Sequence, residues 1–156
     1  MKKLLSFAFL VTLSSAVAVP AMANKAMEEM VQARQGYYKL VKHNAGQLFA
    51  MAKGDMAYDA KKAAKAANNL KTLSMLDLGT LYMPGSSKEE MPGKTRALKK
   101  IWDTFPEIGK KGAAFKQAVD AMAANAGNGL DALRANAGAL GGSCKGCHDN
   151  YRADTF

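Results

Sequence analysis

The chain has 156 residues, with 22 Lys and Arg against 13 Asp and Glu and a formal charge of +9. That length suits one domain around one core. The lysines are scattered through amphipathic stretches rather than interleaved with aromatics, which argues for a solvated basic surface and against a nucleic-acid interface. Such a surface at most steers the protein toward acidic partners or anionic membranes.

The N-terminus indicates the compartment. Lys2 and Lys3 precede an apolar run from Leu4 to Val19, and Ala21-Met22-Ala23 supplies the small residues read by a signal peptidase. The pattern predicts a secretory signal peptide, residues 1–23, cleaved after Ala23. The run is shorter than the ~20 apolar residues of a membrane span. The expected product is a soluble periplasmic domain over 24–156. Losing Lys2 and Lys3 lowers its charge from +9 to +7.

The rest of the chain is rich in Ala, Lys, Met and Leu, and no stretch alternates apolar and polar for long, so the expectation is all-α. The first helix is expected from about Ala26 to Lys53. Met27, Met30, Val31, Arg34, Tyr37, Tyr38, Val41, Ala45, Leu48 and Ala52 form one stripe along it, and Gly54-Asp55 closes it. The second starts at the N-cap Asp59 and is expected to reach Leu78. A long connection over 79–94 carries Pro84-Gly85 and Pro92-Gly93, both turn signals. A short helical piece is expected around Thr95 to Trp102. The third main helix spans about Asp103 to Ala126, with Pro106 in its first turn. After Gly127-Asn128-Gly129, the fourth runs from Leu130 to about Ala153. This reads as an antiparallel four-helix bundle with one long crossover loop. The small Ala and Gly residues of its inner faces leave space that something bulky is expected to fill.

The chemistry is concentrated in Cys144-Lys145-Gly146-Cys147-His148, which holds the only two cysteines. Each helical residue advances ~100°, so Cys144 and Cys147 lie roughly 60° apart, and with His148 they point the same way from one helix. Two such thiols can form thioethers with the vinyl groups of a haem while the imidazole reaches the iron. C-x-x-C-H is the attachment signature of c-type haem. A thioredoxin-like pair would need a preceding strand. A zinc site would have to recruit His43 as a fourth ligand. A disulfide between helical cysteines three apart would be strained.

A C-terminal C-x-x-C-H on the last helix of a bundle, followed by Tyr151-Arg152, resembles the class II cytochromes c, above all the cytochrome c′ family. "ARQGYYKLV", "YDAKKAAKAANNLKTLS", "LYMPGS" and "AAFKQAV" are similar to that family's successive segments. The resemblance spans Asn24 to Arg152 and implies one covalent haem c per chain, with His148 as the axial iron ligand. It places Tyr38 over the distal face, where low-spin relatives carry a Met ligand, and Met30 is more than two turns away. A neutral Tyr38 would gate the pocket and leave the iron five-coordinate and high-spin, open to nitric oxide and carbon monoxide. His43, about 140° around the helix from Tyr38, should face away from the haem.

The resemblance also places Arg34 and Gln35 beside the haem and its propionates, and Arg152 on the proximal side. It implies a homodimer, to which Met27, Met30, Val31, Leu48, Phe49 and Met51 are candidate contributors, though each could equally be core. The implied function is one-electron transfer with small redox proteins and reversible gas binding, with nitric oxide scavenging as an associated role, rather than enzymatic turnover. Two other classes remain: a low-spin, six-coordinate electron shuttle with a sixth ligand from Tyr38 or an unexpected Met, and a weak haem peroxidase.

Overall fold

The computed structural model describes residues 19–156, with side chains from residue 24 onward. Most of the expected leader, and the side chains around its expected cleavage point, lie outside the described residues. The helices are α1 (Val19–Lys53), α2 (Ala60–Ser74), the short α3 (Lys100–Asp103), α4 (Phe105–Asn125) and α5 (Leu130–Tyr151). α1, α2, α4 and α5 form the expected antiparallel bundle. No strand occurs among the described residues, and no described helix is long and apolar enough to cross a membrane.

Local chemistry sets most of the boundaries. Gly54 adopts φ +89°, so its N–H and that of Met56 both reach the Ala50 carbonyl at 3.1 Å and close α1. Asp59 caps α2 by accepting the Lys62 N–H at 3.0 Å. α2 then stops at Ser74, four residues before the expected Leu78. Met75 and Leu76 are more than half exposed and have no core to join, and Asp77 turns its carboxylate back onto the Gly79 N–H at 2.8 Å. A local Asx bond of this kind competes with helix continuation.

The crossover begins with a 3-10 turn, Gly79–Leu81, and bends at Gly85 (φ +91°) and Gly93 (φ +75°). The expected helix at Thr95 forms only as α3. The residues before it are bonded elsewhere: Ala97 O accepts from Lys88 N–H at 2.7 Å, and Leu98 N–H donates to Tyr151 O at 3.0 Å. The same pairing ends α5 at Tyr151 rather than Ala153. Arg152 forms a bridge with Ala97, and Ala153 N–H donates to Arg96 O at 2.8 Å. The C-terminal tail is therefore stitched to the crossover beside His148.

The core is uneven along the bundle. At the end where α1 meets α2 and α4 meets α5, Leu48, Met51, Val119, Met122 and Leu133 are sealed from solvent. Burial of this kind stabilises by roughly 1.5–3 kcal/mol per large side chain. Val31, Leu48 and Met51, named as candidates for a subunit contact, are core residues at 2%, 0% and 1% exposure. At the opposite end, inward positions such as Phe115, Leu73 and Leu78 are only half-buried. The bundle closes at one end and opens at the other.

Candidate haem site

The open end is built on α5. Leu133 and Leu140 are fully buried, and the next step of the same seven-residue stripe is Cys147, only half-buried with Cys144 and His148. The change comes at Gly141. Phe49 of α1 lies 3.8 Å from where a Cβ on Gly141 would sit. Cys144, one turn beyond this contact, is the first of the three chemically distinctive side chains.

The environment around the pentad is desolvated but reachable. Burial pushes both thiols above their ordinary range, and for Cys147 Lys111 partly opposes the shift. Burial, then Arg152 and Arg96, hold the His148 imidazole below its usual value. Both cysteines are free, and among the described residues no three His, Cys, Asp or Glu side chains converge as a metal site would require. His43 lies on the exposed side of α1, with its ring 3.2 Å from the Gln47 amide. The zinc alternative is not assembled.

Tyr38 faces the same space from α1. It is 40% exposed, yet burial of its hydroxyl pushes its pKa far above the ordinary phenol range; neighbouring Tyr82 and Cys147 add to the effect. The hydroxyl pair that Tyr38 makes with Tyr82 is itself solvent-exposed, so Tyr38 stands at an open edge of the bundle near Cys147. The Tyr38 ring meets Tyr37 edge-on at 4.9 Å, and its hydroxyl lies 2.8 Å from the Tyr82 hydroxyl. Tyr82, on the crossover, is also shifted upward by burial.

Arg34 and Gln35 face the crossover. The Arg34 guanidinium is 4% exposed and gives four hydrogen bonds: to Leu81 O (3.1 Å), Ser86 Oγ (3.0 Å), Ser86 O (2.9 Å) and Thr95 Oγ1 (2.9 Å). It also lies over the Tyr82 ring, 5.0 Å from the centroid. Gln35 donates to Lys94 O at 2.7 Å. Both residues pin the crossover, and all four terminal donors of Arg34 go to protein acceptors. Arg152 is exposed and holds a long 3.4 Å contact from Nη1 to the His148 Nε2.

Several glycines of α5 lie on its outer side. Two outer grooves of about 530 Å³ flank the helix. Phe49, Arg134, Gly138 and Gly141 line one, Lys111, Ala118, Ser143 and Gly146 the other, and Gly142 borders both. Neither contains Cys144, Cys147 or His148. Part of the small-residue character of α5 therefore belongs to its outer surface.

The family model for cytochrome c′ matches residues 29–152. The chain belongs to the cytochrome c′ family. It is 45% identical over 143 residues to a cytochrome c′ of Cereibacter sphaeroides, an alignment covering 92% of this chain and 95% of the relative. Its fold is similar to the solved cytochrome c′ from Rhodobacter spheriodes, with a TM-score of 0.80 and 44% identity, over 82% of this chain and 98% of that one. A nitric oxide complex of a cytochrome c prime variant from Alcaligenes xylosoxidans also matches, with a TM-score of 0.70 and 32% identity, over 82% and 97% of the two chains.

As a member of the cytochrome c′ family, the protein carries haem c covalently, with its iron. The residues present fit that group: two free, half-buried thiols and an imidazole lie within five residues of one helix, with Tyr38 of α1 close to Cys147. Sequence reasoning missed Tyr82. The available signal was the aromatic in "LYMPGS", a polar-tipped ring just before a Pro-Gly-Ser turn.

Proposed function

We propose that Cys144 and Cys147 hold the haem through thioethers, that His148 Nε2 is the axial iron ligand, and that the opposite side is left without a protein ligand. The single observation that carries this reading is the Tyr38 hydroxyl paired with that of Tyr82 near Cys147, at the position where the family resemblance would put a strong sixth ligand. A phenol binds ferric iron well only as phenolate, and the direction of its shift opposes ionisation. When bound, the haem supplies one-electron redox chemistry and an open position for a diatomic ligand.

The chain's own residues set the conditions. Tyr38 restricts the distal space to small neutral molecules such as nitric oxide and carbon monoxide. Arg34 has no carboxylate partner among the described residues, so a propionate nearby would offset its charge without displacing its four bonds. Those bonds also make Arg34 a poor distal acid or base, which disfavours peroxidase chemistry. The leader directs the protein to the periplasm, where nitric oxide buffering and electron exchange with small redox proteins take place.

The optical spectrum of the ferrous protein tests the assignment. A high-spin, five-coordinate spectrum that changes on adding carbon monoxide is expected. A low-spin spectrum indifferent to carbon monoxide would sink it.

A further inference from the structure

The wall facing the haem's open side is made of two pieces from distant parts of the chain. Tyr38 comes from α1 and Tyr82 from the crossover, 44 residues apart, and a single 2.8 Å hydroxyl contact joins them. We infer that Tyr82 is a positioning residue for the distal side: it latches the Tyr38 ring in place, so a ligand enters only when that one bond opens. The inference rests on the gas-binding reading above and adds to it a second residue and a mechanical coupling.

The two partners are held very differently. The Tyr82 backbone carbonyl accepts the Trp102 indole N–H at 2.8 Å, and its ring lies under the Arg34 guanidinium. The preceding residue, Leu81, is bonded to Arg34 through its carbonyl. Tyr82 is thus fixed on three sides. Tyr38 is 40% exposed, and apart from the hydroxyl contact its ring has the edge of Tyr37 as its aromatic neighbour. The fixed residue tethers the movable one. Burial keeps both phenols protonated around neutral pH, so the tether is an ordinary O–H···O bond. The crossover, anchored by Arg34, thereby takes part in gating although it carries none of the residues proposed to hold the haem.

Carbon monoxide association with the ferrous holoprotein, followed by flash photolysis, tests the latch in Tyr82→Phe, Tyr38→Phe and the double variant. Tyr82→Phe removes one oxygen and keeps the ring under Arg34. Loss of one net hydrogen bond corresponds to about a fivefold faster association. Tyr38→Phe removes the same bond from the other side, so it should give a similar gain, and the double variant no more than either single one. An unchanged rate in Tyr82→Phe, or gains that multiply in the double variant, would overturn the latch.

Ultraviolet resonance Raman bands of the tyrosines provide a readout independent of gas. Tyr82→Phe should shift the Tyr38 bands toward those of a phenol lacking a tyrosine partner. Unshifted bands would overturn the inference. If the wild-type protein takes up no carbon monoxide, the gas-binding reading falls, and the Raman result alone decides the latch.

Discussion

Tyr58 clamps Gly129. The Tyr58 hydroxyl accepts the Gly129 N–H at 2.9 Å and donates to the Ala126 carbonyl at 2.9 Å, so one oxygen spans the turn between α4 and α5. Gly129 sits at φ +113° and ψ 159°, a conformation open essentially to glycine alone. The clamp secures the closed end of the bundle, opposite the end that bears the pentad.

Replacing Tyr58 with Phe leaves two backbone groups without their partner and should lower stability by about 2 kcal/mol. Urea unfolding measures it as a lower midpoint. The ferrous spectrum with carbon monoxide should stay as in the wild type. A variant as stable as the parent would show that water replaces the hydroxyl at no cost.

Arg34→Met should remove about 3 kcal/mol or more, because the acceptors on Leu81, Ser86 and Thr95 lose a charged donor together. Arg34→Lys should recover little, since one ammonium cannot replace a planar fork that reaches three residues. The accompanying sign is faster proteolysis within 82–95. Unaltered cleavage there would show that the loop is held by other contacts.

Alkaline pH should destabilise the fold through its tyrosines. Tyr37 is pushed up to about 12, first by burial and then by Tyr38. Its folded-state value lies above the ordinary ~10, so its contribution is complete below pH 10. It is then lost as pH rises from 10 toward about 12. Stability should fall by about 1.4 kcal/mol per pH unit through that window on account of Tyr37. Tyr38 and Tyr82 act in the same direction. Tyr37→Phe should flatten the profile between pH 10 and 11, and a profile parallel to the parent would clear Tyr37 as the source.

A chain carrying Cys144→Ala and Cys147→Ala should emerge without the covalent haem mass. It should also keep slow hydrogen exchange around Leu48, Met122 and Leu133 while losing it around Tyr38 and His148. The first group is sealed by packing alone, whereas Tyr38 is 40% exposed and His148 only half-buried. Uniform loss of protection would show that the two ends fold as one cooperative unit.

The four helices, the Asp59 cap and the Gly54 stop were legible in the sequence because each has a local cause within a few residues. The pentad was legible because its spacing is itself the chemistry. The long-range contacts were not. Arg34 in a helical stripe gives no sign that its acceptors lie on Leu81, Ser86 and Thr95, and Tyr82 in a turn-rich segment gives no sign of a partner 44 residues earlier. The expectation that Ala and Gly dominate the inner faces overreached at Gly138 and Gly142, which are exposed, because a small residue does not reveal whether its face points in or out. The end of α2 was overestimated because Leu76 continues an apolar period yet stays more than half exposed, while Leu78 meets the core only after the chain has left the helix.

The uneven core has a consequence for how such a molecule can diversify. Leu48, Met51, Val119, Met122 and Leu133 seal the end away from the pentad, whereas Tyr38 is 40% exposed, so the fold leans little on its ring. A lineage could exchange the side chain at position 38 by a single codon change and obtain a different distal wall while the scaffold stayed intact. Novelty would then arise at the loose end while the tight end is inherited.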